Sequence, residues 1–153
     1  MDLILWRHAE AEDAAPGDDD LARALTAKGE RQAVRMAEWL NRHLAHSTRM
    51  LVSPARRCQQ TAKALGRKFR TVDAVGPQTT PRELLIGIGW PDAAEPVLVV
   101  GHQPTLGLVA SLLLTGAEHP LAVKKAAVWW LRRRPRLDDG QLVLHAVQGP
   151  DAL

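Results

Sequence analysis

Two short apolar runs in this chain each end on a histidine. Leu3, Ile4, Leu5 and Trp6 lead into Arg7 and His8, and Val97 to Val100 lead into Gly101 and His102. Continuous runs of this kind, bounded by charges or turn formers, suit strands buried on both faces. Met50 to Val52 and the region around Val72 are weaker strand candidates, and Ala126 to Leu131 and Leu142 to Val147 read as two late strands. Helical spacing fills the intervals. From Thr26 to about Leu44, Ala33, Ala37, Leu40 and Leu44 recur three or four apart, with Arg31, Arg35, Glu38 and Arg42 around the outside and Thr26 as the cap. Ser53 followed by Pro54 predicts a second helix start, running to about Leu65 and stopping at Gly66. A third helix is expected from Pro104 to Gly116. Strands alternating with helices indicate an α/β sandwich.

A chain of 153 residues, 46% of them hydrophobic, builds one substantial core and is too short for two ordinary domains. We read residues 1–153 as a single domain without linkers or repeats. No stretch approaches the ~20 apolar residues of a membrane helix, and the opening MDLILWRHAE lacks the flanks of a signal peptide. The single cysteine, Cys58, excludes an internal disulfide and any zinc site of several thiolates, and it reads as a packed thiol. The cytoplasm is the expected compartment.

Charge is unevenly spread. The net charge is +3, but no aromatic residues interleave the basic runs, which argues against a nucleic-acid partner. Arg132, Arg133, Arg134 and Arg136 surround Pro135 and precede Asp138, Asp139 and Gly140, the pattern of a solvated hairpin turn. Glu10, Glu12, Asp13, Asp18, Asp19 and Asp20 around Pro16 and Gly17 read as a mobile acidic loop. Trp129 and Trp130 fall on opposite faces of their strand, so one is core and the other partly exposed or at an interface.

In an open parallel sheet, functional groups collect beyond the carboxyl ends of the strands, where His8 and His102 can meet if their strands are adjacent. Arg7 stands beside His8, and Arg57 sits one turn into the Ser53-Pro54 helix. Two guanidiniums, two imidazoles and two helix N-termini describe a pocket for a tetrahedral oxyanion, most naturally phosphate. Arginine grips two phosphate oxygens at once. An unprotonated imidazole nitrogen attacks phosphorus and holds the phosphoryl group transiently. Neighbouring guanidinium charge keeps His8 in that unprotonated form. Each feature alone has an ordinary reading: an Arg-His pair as a surface loop, Gly29 as a weak spot in a helix. Their conjunction carries the argument. His43, His46, His119 and His145 lack such surroundings. The triplet His8-Ala9-Glu10 of a zinc deaminase lacks its paired-cysteine partner.

The chain resembles the histidine phosphatase superfamily, also called phosphoglycerate-mutase-like, and within it the short SixA-type phosphohistidine phosphatases. The matching blocks are Leu5 to Glu10, then Leu25-Thr26 with Gly29 and Gln32-Ala33, then Ser53-Pro54, Arg57 and Gln60 to Ala62, and finally Val100 to Pro104. They occur in family order over about two thirds of the chain. The resemblance implies a three-layer α/β/α sandwich with a mainly parallel central sheet. It also implies phosphorylation of His8 while Arg7, Arg57 and His102 hold the phosphoryl oxygens, with no metal and no cofactor. Ser53, Gly101 and Gln103 then stand as supports of the phosphate pocket. The glycine usual after the nucleophile is Ala9 here, which implies a backbone conformation open to alanine. Larger members carry an insertion that supplies a general acid. The corresponding span here, Thr79 to Pro96, is brief, and Glu83 is its best candidate, with Glu10 and Asp92 behind it.

A helix-start role competes for Glu83. Imidazole leaving from phosphohistidine needs less protonation than an alkoxide, so a short insertion favours N–P over O–P bonds. Three functions stay open: dephosphorylation of a phosphohistidine protein such as a phosphotransfer domain, hydrolysis of a small phosphorylated metabolite or nucleotide, and phosphate binding without turnover. All three place inorganic phosphate or another oxyanion in the pocket, and none involves a membrane.

Overall fold

The two runs that end on histidines are neighbouring strands at the centre of one sheet. The computed structural model describes residues 1–134 and 141–153. In chain order its elements are β1 (Asp2–Arg7), α1 (Ala27–His43), β2 (Arg49–Val52), α2 (Arg56–Lys63), β3 (Arg70–Thr71) and α3 (Pro81–Gly87). They continue with β4 (Val97–Gly101), α4 (Thr105–Thr115), β5 (Val128–Arg134) and β6 (Gln141–Gln148). The six strands lie in the order β3-β2-β4-β1-β5-β6. The first four are parallel, and β5 and β6 are antiparallel additions at one side.

Strand alternation sorts the apolar residues between two cores. Ile4, Trp6, Met50, Val52, Leu98 and Val100 pack with Ala33, Met36, Ala37 and Leu40 of α1 and with Cys58 and Ala62 of α2. Leu3, Leu5, Leu51, Val97 and Val99 pack on the other face with Leu84 and Ile88 from the α3 region and with Leu106, Val109 and Ala110 of α4. The result is the three-layer α/β/α sandwich. Trp130 is buried in the first core, and Trp129, half-buried on the opposite face, packs against the second.

Helix ends follow local chemistry. Thr26 caps α1 by accepting from the Gly29 N–H at 2.9 Å. Gly116, at φ 81°, closes α4 in the left-handed conformation. Gly29 is no weak spot: a methyl group there would collide with the backbone carbonyl of Glu10, so the glycine lets α1 approach the segment that follows His8.

Two expectations are corrected here. Arg132, Arg133 and Arg134 belong to β5 rather than to a solvated turn. Arg132 forms a paired contact with Asp2, its Nε and Nη2 each donating at 2.9 Å, because the antiparallel register sets Asp2 opposite Arg132. The Asp138-Asp139-Gly140 turn itself, with Pro135 and Arg136, lies outside the described residues. The acidic segment also has defined structure. Asp19 caps a 3₁₀ turn over Asp20–Ala22, and Ala11 bridges to Leu25. Among the described residues no helix is long and apolar enough to cross a membrane.

Candidate active site

Arg7 ends β1 and His8 follows it, in register with the end of β4, where Arg7 lies opposite Gly101. The His8 N–H donates to the Gly101 carbonyl at 3.1 Å, and the Ala126 N–H donates to the His8 carbonyl at 3.1 Å. The next residue is also fixed, since the Ala9 N–H donates to the Thr61 hydroxyl at 3.0 Å. Ala9 is not among the positive-φ residues of the chain, so alanine sits there without strain. These contacts set the two imidazoles side by side and tilted, 5.3 Å between ring centres and 57° between planes.

The ring of His8 has an assigned tautomer. Its Nδ1 lies 2.7 Å from the Ala9 carbonyl oxygen, and a carbonyl can only accept, so Nδ1 carries the proton. Nε2 therefore holds the lone pair. Burial, first of all, holds the His8 pKa at about 4 against an ordinary 6.5. The Ala9 bond opposes this, and the charges of Arg57, Arg7 and Arg23 push it lower. The guanidinium effect expected from the sequence is present, but desolvation leads it.

His102 carries the opposite tautomer. Arg57 Nη2 donates to its Nδ1 at 3.3 Å, which leaves the proton on Nε2, and that nitrogen donates to the Ser53 hydroxyl at 2.7 Å. Ser53 also accepts from the Ala55 N–H at 3.2 Å. Burial depresses the His102 pKa to about 3, helped by His8 and Arg57 and opposed by Asp20. Cys58 is buried with its thiol at 3.4 Å from the same Nε2, and desolvation lifts its pKa to about 12. It is packed, as expected, and unreactive.

The guanidiniums close the arrangement. Arg7 donates from Nη1 to the Val123 carbonyl at 3.0 Å. Arg57 is almost fully buried and donates to the Asp20 carbonyl at 2.8 Å and to the Asp20 carboxylate at 3.1 Å. The Nε atoms of both arginines are buried without a hydrogen-bond partner. Buried donors left unpaired are costly, and an oxyanion suits them. Two neutral imidazoles beside the buried Arg57 and the half-buried Arg7 suit a phosphoryl dianion, which competes with the Asp20 carboxylate for Arg57 Nη2.

Several expected supports take other positions. Helix α2 begins at Arg56, with Ala55 as an N-cap that makes no side-chain bond. Ser53 does not cap it, because the helix starts three residues later; its hydroxyl meets His102 and the Ala55 N–H. Helix α4 likewise begins one residue after Pro104. Gln103 is committed elsewhere: its amide donates to the Leu121 carbonyl and accepts from the Gly107 N–H, both at 2.7 Å, so it braces α4. Gly101 contributes its carbonyl to His8 and leaves room for Val75 and Leu106, which a Cβ would approach to 3.3 and 3.4 Å. Glu83 makes the capping box of α3, accepting from the Thr80 N–H at 3.3 Å while the Thr80 hydroxyl accepts from the Glu83 N–H at 3.2 Å. That is the helix-start role. Glu10 is bonded to the Thr26 hydroxyl at 2.8 Å. Among the described residues no group of three or more His, Cys, Asp or Glu side chains is arranged to hold a metal ion.

Asp20 is the site residue that sequence reasoning missed. It is one of six carboxylates in the acidic segment, and only the fold shows that it reaches Arg57. The nearest local signal was the i, i+3 spacing to Arg23, which it also pairs with at 3.2 Å.

Residues 3–84, more than half of the chain, match the family model of the histidine phosphatase superfamily (branch 1). His102 and Gln103 lie beyond that span. The chain is 29% identical over 134 residues to phosphohistidine phosphatase SixA of Escherichia coli, covering 82% of each chain. It is 28% identical over 143 residues to a phosphohistidine phosphatase SixA homolog of Haemophilus influenzae, covering 84% of this chain and 85% of the relative. Its fold matches that of a protein histidine phosphatase SixA complexed with tungstate at a TM-score of 0.80 and 24% identity, covering 99% of both chains.

Proposed function

The chain belongs to the histidine phosphatase superfamily, and from that premise we propose that it is a phosphatase that carries the phosphoryl group on His8 and removes it from phosphohistidine in proteins. The observation that carries this reading is the His8 tautomer. Its Nδ1–H is tied to the Ala9 carbonyl, so Nε2 presents a lone pair beside His102 and the two arginines. Nε2 attacks phosphorus, the substrate P–N bond breaks, and the substrate imidazole leaves. Ring charge then rises on His8, and the Nδ1–H bond to the carbonyl strengthens as it does. Water next attacks phosphorus, the Nε2–P bond breaks, and phosphate departs. Arg7 and Arg57 stay charged and stabilise the phosphoryl oxygens through both steps. His102, with both ring nitrogens engaged, holds Arg57 and Ser53 in place.

The likeness to SixA proteins supports the substrate class. The capping role of Glu83 supports it too, since a leaving imidazole needs less proton donation than an alkoxide. On this reading the enzyme uses no metal, works as one domain, and resides in the cytoplasm, where the free thiol of Cys58 stays reduced. The test is a substrate panel without added metal. Wild-type protein is mixed with a phosphohistidine-bearing phosphotransfer domain, an aryl phosphate and small phosphorylated metabolites. Release of phosphate from the phosphotransfer domain well above the others supports the reading. Preference for a metabolite overturns the substrate class, and tungstate or phosphate binding with no turnover of any substrate overturns catalysis.

A further inference from the structure

Beside the pocket lies a cleft of about 620 Å³. Asp20 is common to both, since its carboxylate meets Arg57 and also lines the cleft. Pro54, next to the Ser53 that holds His102, lies in the same wall. Asp73 and Glu83 also line the cleft, and no lysine, arginine or histidine lines the space. Neither Asp73 nor Glu83 enters an ion pair among the described residues. Glu83 is bonded only to the neutral Thr79 and Thr80, so its charge is unneutralised.

The walls between these charges are apolar, with Leu21 and Pro77 among them. Leu21 is 41% exposed, and Ile86, three residues along α3 from Glu83, is 73% exposed. Residues three apart share a helix face, so Ile86 extends the rim on that side. Exposed large apolar side chains in and beside the cleft suit contact with another polypeptide.

The charge pattern is therefore divided: cationic where the phosphoryl group is held and anionic immediately outside. A small phosphorylated metabolite without a cationic group gains nothing from the second region. A polypeptide with a basic residue near its phosphohistidine matches both regions at once. Resting on the phosphohistidine reading, we propose that this cleft binds a lysine or arginine flanking the phosphohistidine of the protein substrate. It selects against acidic flanks by like-charge repulsion.

The test uses peptides that carry one phosphohistidine and differ by Lys or Glu at two to four residues from it. Wild-type protein should show a KM for the Glu peptide about tenfold above that for the Lys peptide at low salt, as attraction is replaced by repulsion at a partly exposed cleft. In Asp73→Asn/Glu83→Gln the ratio should fall toward one, and in Asp73→Lys it should fall further or invert. The ratio is read within each variant, so a general loss of activity does not disturb it. Equal KM values in wild type, or an undiminished ratio in the double variant, overturn the cleft while leaving His8 labelling by both peptides intact. Absence of label on His8 from either peptide overturns the phosphohistidine reading and the cleft with it.

Discussion

Arg57 is held twice by Asp20, through the backbone carbonyl at 2.8 Å and the carboxylate at 3.1 Å. The buried guanidinium therefore meets an anion supplied by the chain itself, on a residue whose side chain is 54% exposed. That carboxylate competes with any oxyanion for Nη2. Asp20→Asn removes the charge and keeps the backbone contact, so inhibition by tungstate or inorganic phosphate should tighten several-fold, roughly the value of a partly screened pair. Inhibition titrations of wild type and variant check this, and weaker inhibition in the variant contradicts it.

The paired tautomers give a spectroscopic prediction. At about pH 5.5 an ordinary histidine is mostly cationic. His8 and His102, held at about 4 and about 3, should both stay neutral there. Nitrogen-15 spectra should show the proton on Nδ1 in His8 and on Nε2 in His102. A cationic His8 at that pH contradicts the burial argument.

The central part of this site was legible because the fold obeys local rules there. Leu3 to Trp6 and Val97 to Val100 are buried on both faces, so their runs are continuous, and the parallel register delivers His8 and His102 together. What was not legible depends on long-range choices. Ser53 looks like a cap until the helix starts three residues later and its hydroxyl meets His102, 49 residues away. Gln103 looks like a pocket residue until Leu121 and Gly107 engage its amide. The basic run looks solvated until β5 sets Arg132 opposite Asp2. Asp20 is one acid among several until Arg57 selects it. Polar side chains have several acceptable partners, and only the tertiary structure decides among them.

Burial of His8 also predicts acid sensitivity. Its folded pKa is about 4 and its ordinary value 6.5, so the unfolded chain takes up a proton that the folded chain refuses. Stability is unaffected above pH 6.5 and falls as the pH drops toward 4, by about 3 kcal/mol from this group. His8→Asn lacks the group and should lose less stability between pH 7 and about pH 4.5. Urea midpoints at the two pH values decide, and equal losses in both proteins contradict the assignment.

Gly29 offers a test by sign. In an ordinary helix position Gly→Ala stabilises by about 0.5–1 kcal/mol. Here a methyl group would meet the Glu10 carbonyl, so Gly29→Ala should instead destabilise by about 1–3 kcal/mol as α1 is pushed from the segment that follows His8. Denaturation midpoints distinguish the two, and a more stable variant contradicts the close approach.

Removing the charge that stabilises the phosphoryl oxygens should be costly. Arg57→Ala is expected to lower turnover on the order of 10² to 10³. A variant within threefold of wild type would show that Arg57 serves the fold alone.

The most direct test is rapid quench of wild type and His8→Ala during turnover of a phosphohistidine protein, with the enzyme mapped for acid-labile phosphate. The account predicts label on Nε2 of His8 in wild type, and neither label nor turnover in His8→Ala. Phosphate release by His8→Ala at the wild-type rate, or turnover in wild type with His8 never labelled, would contradict it.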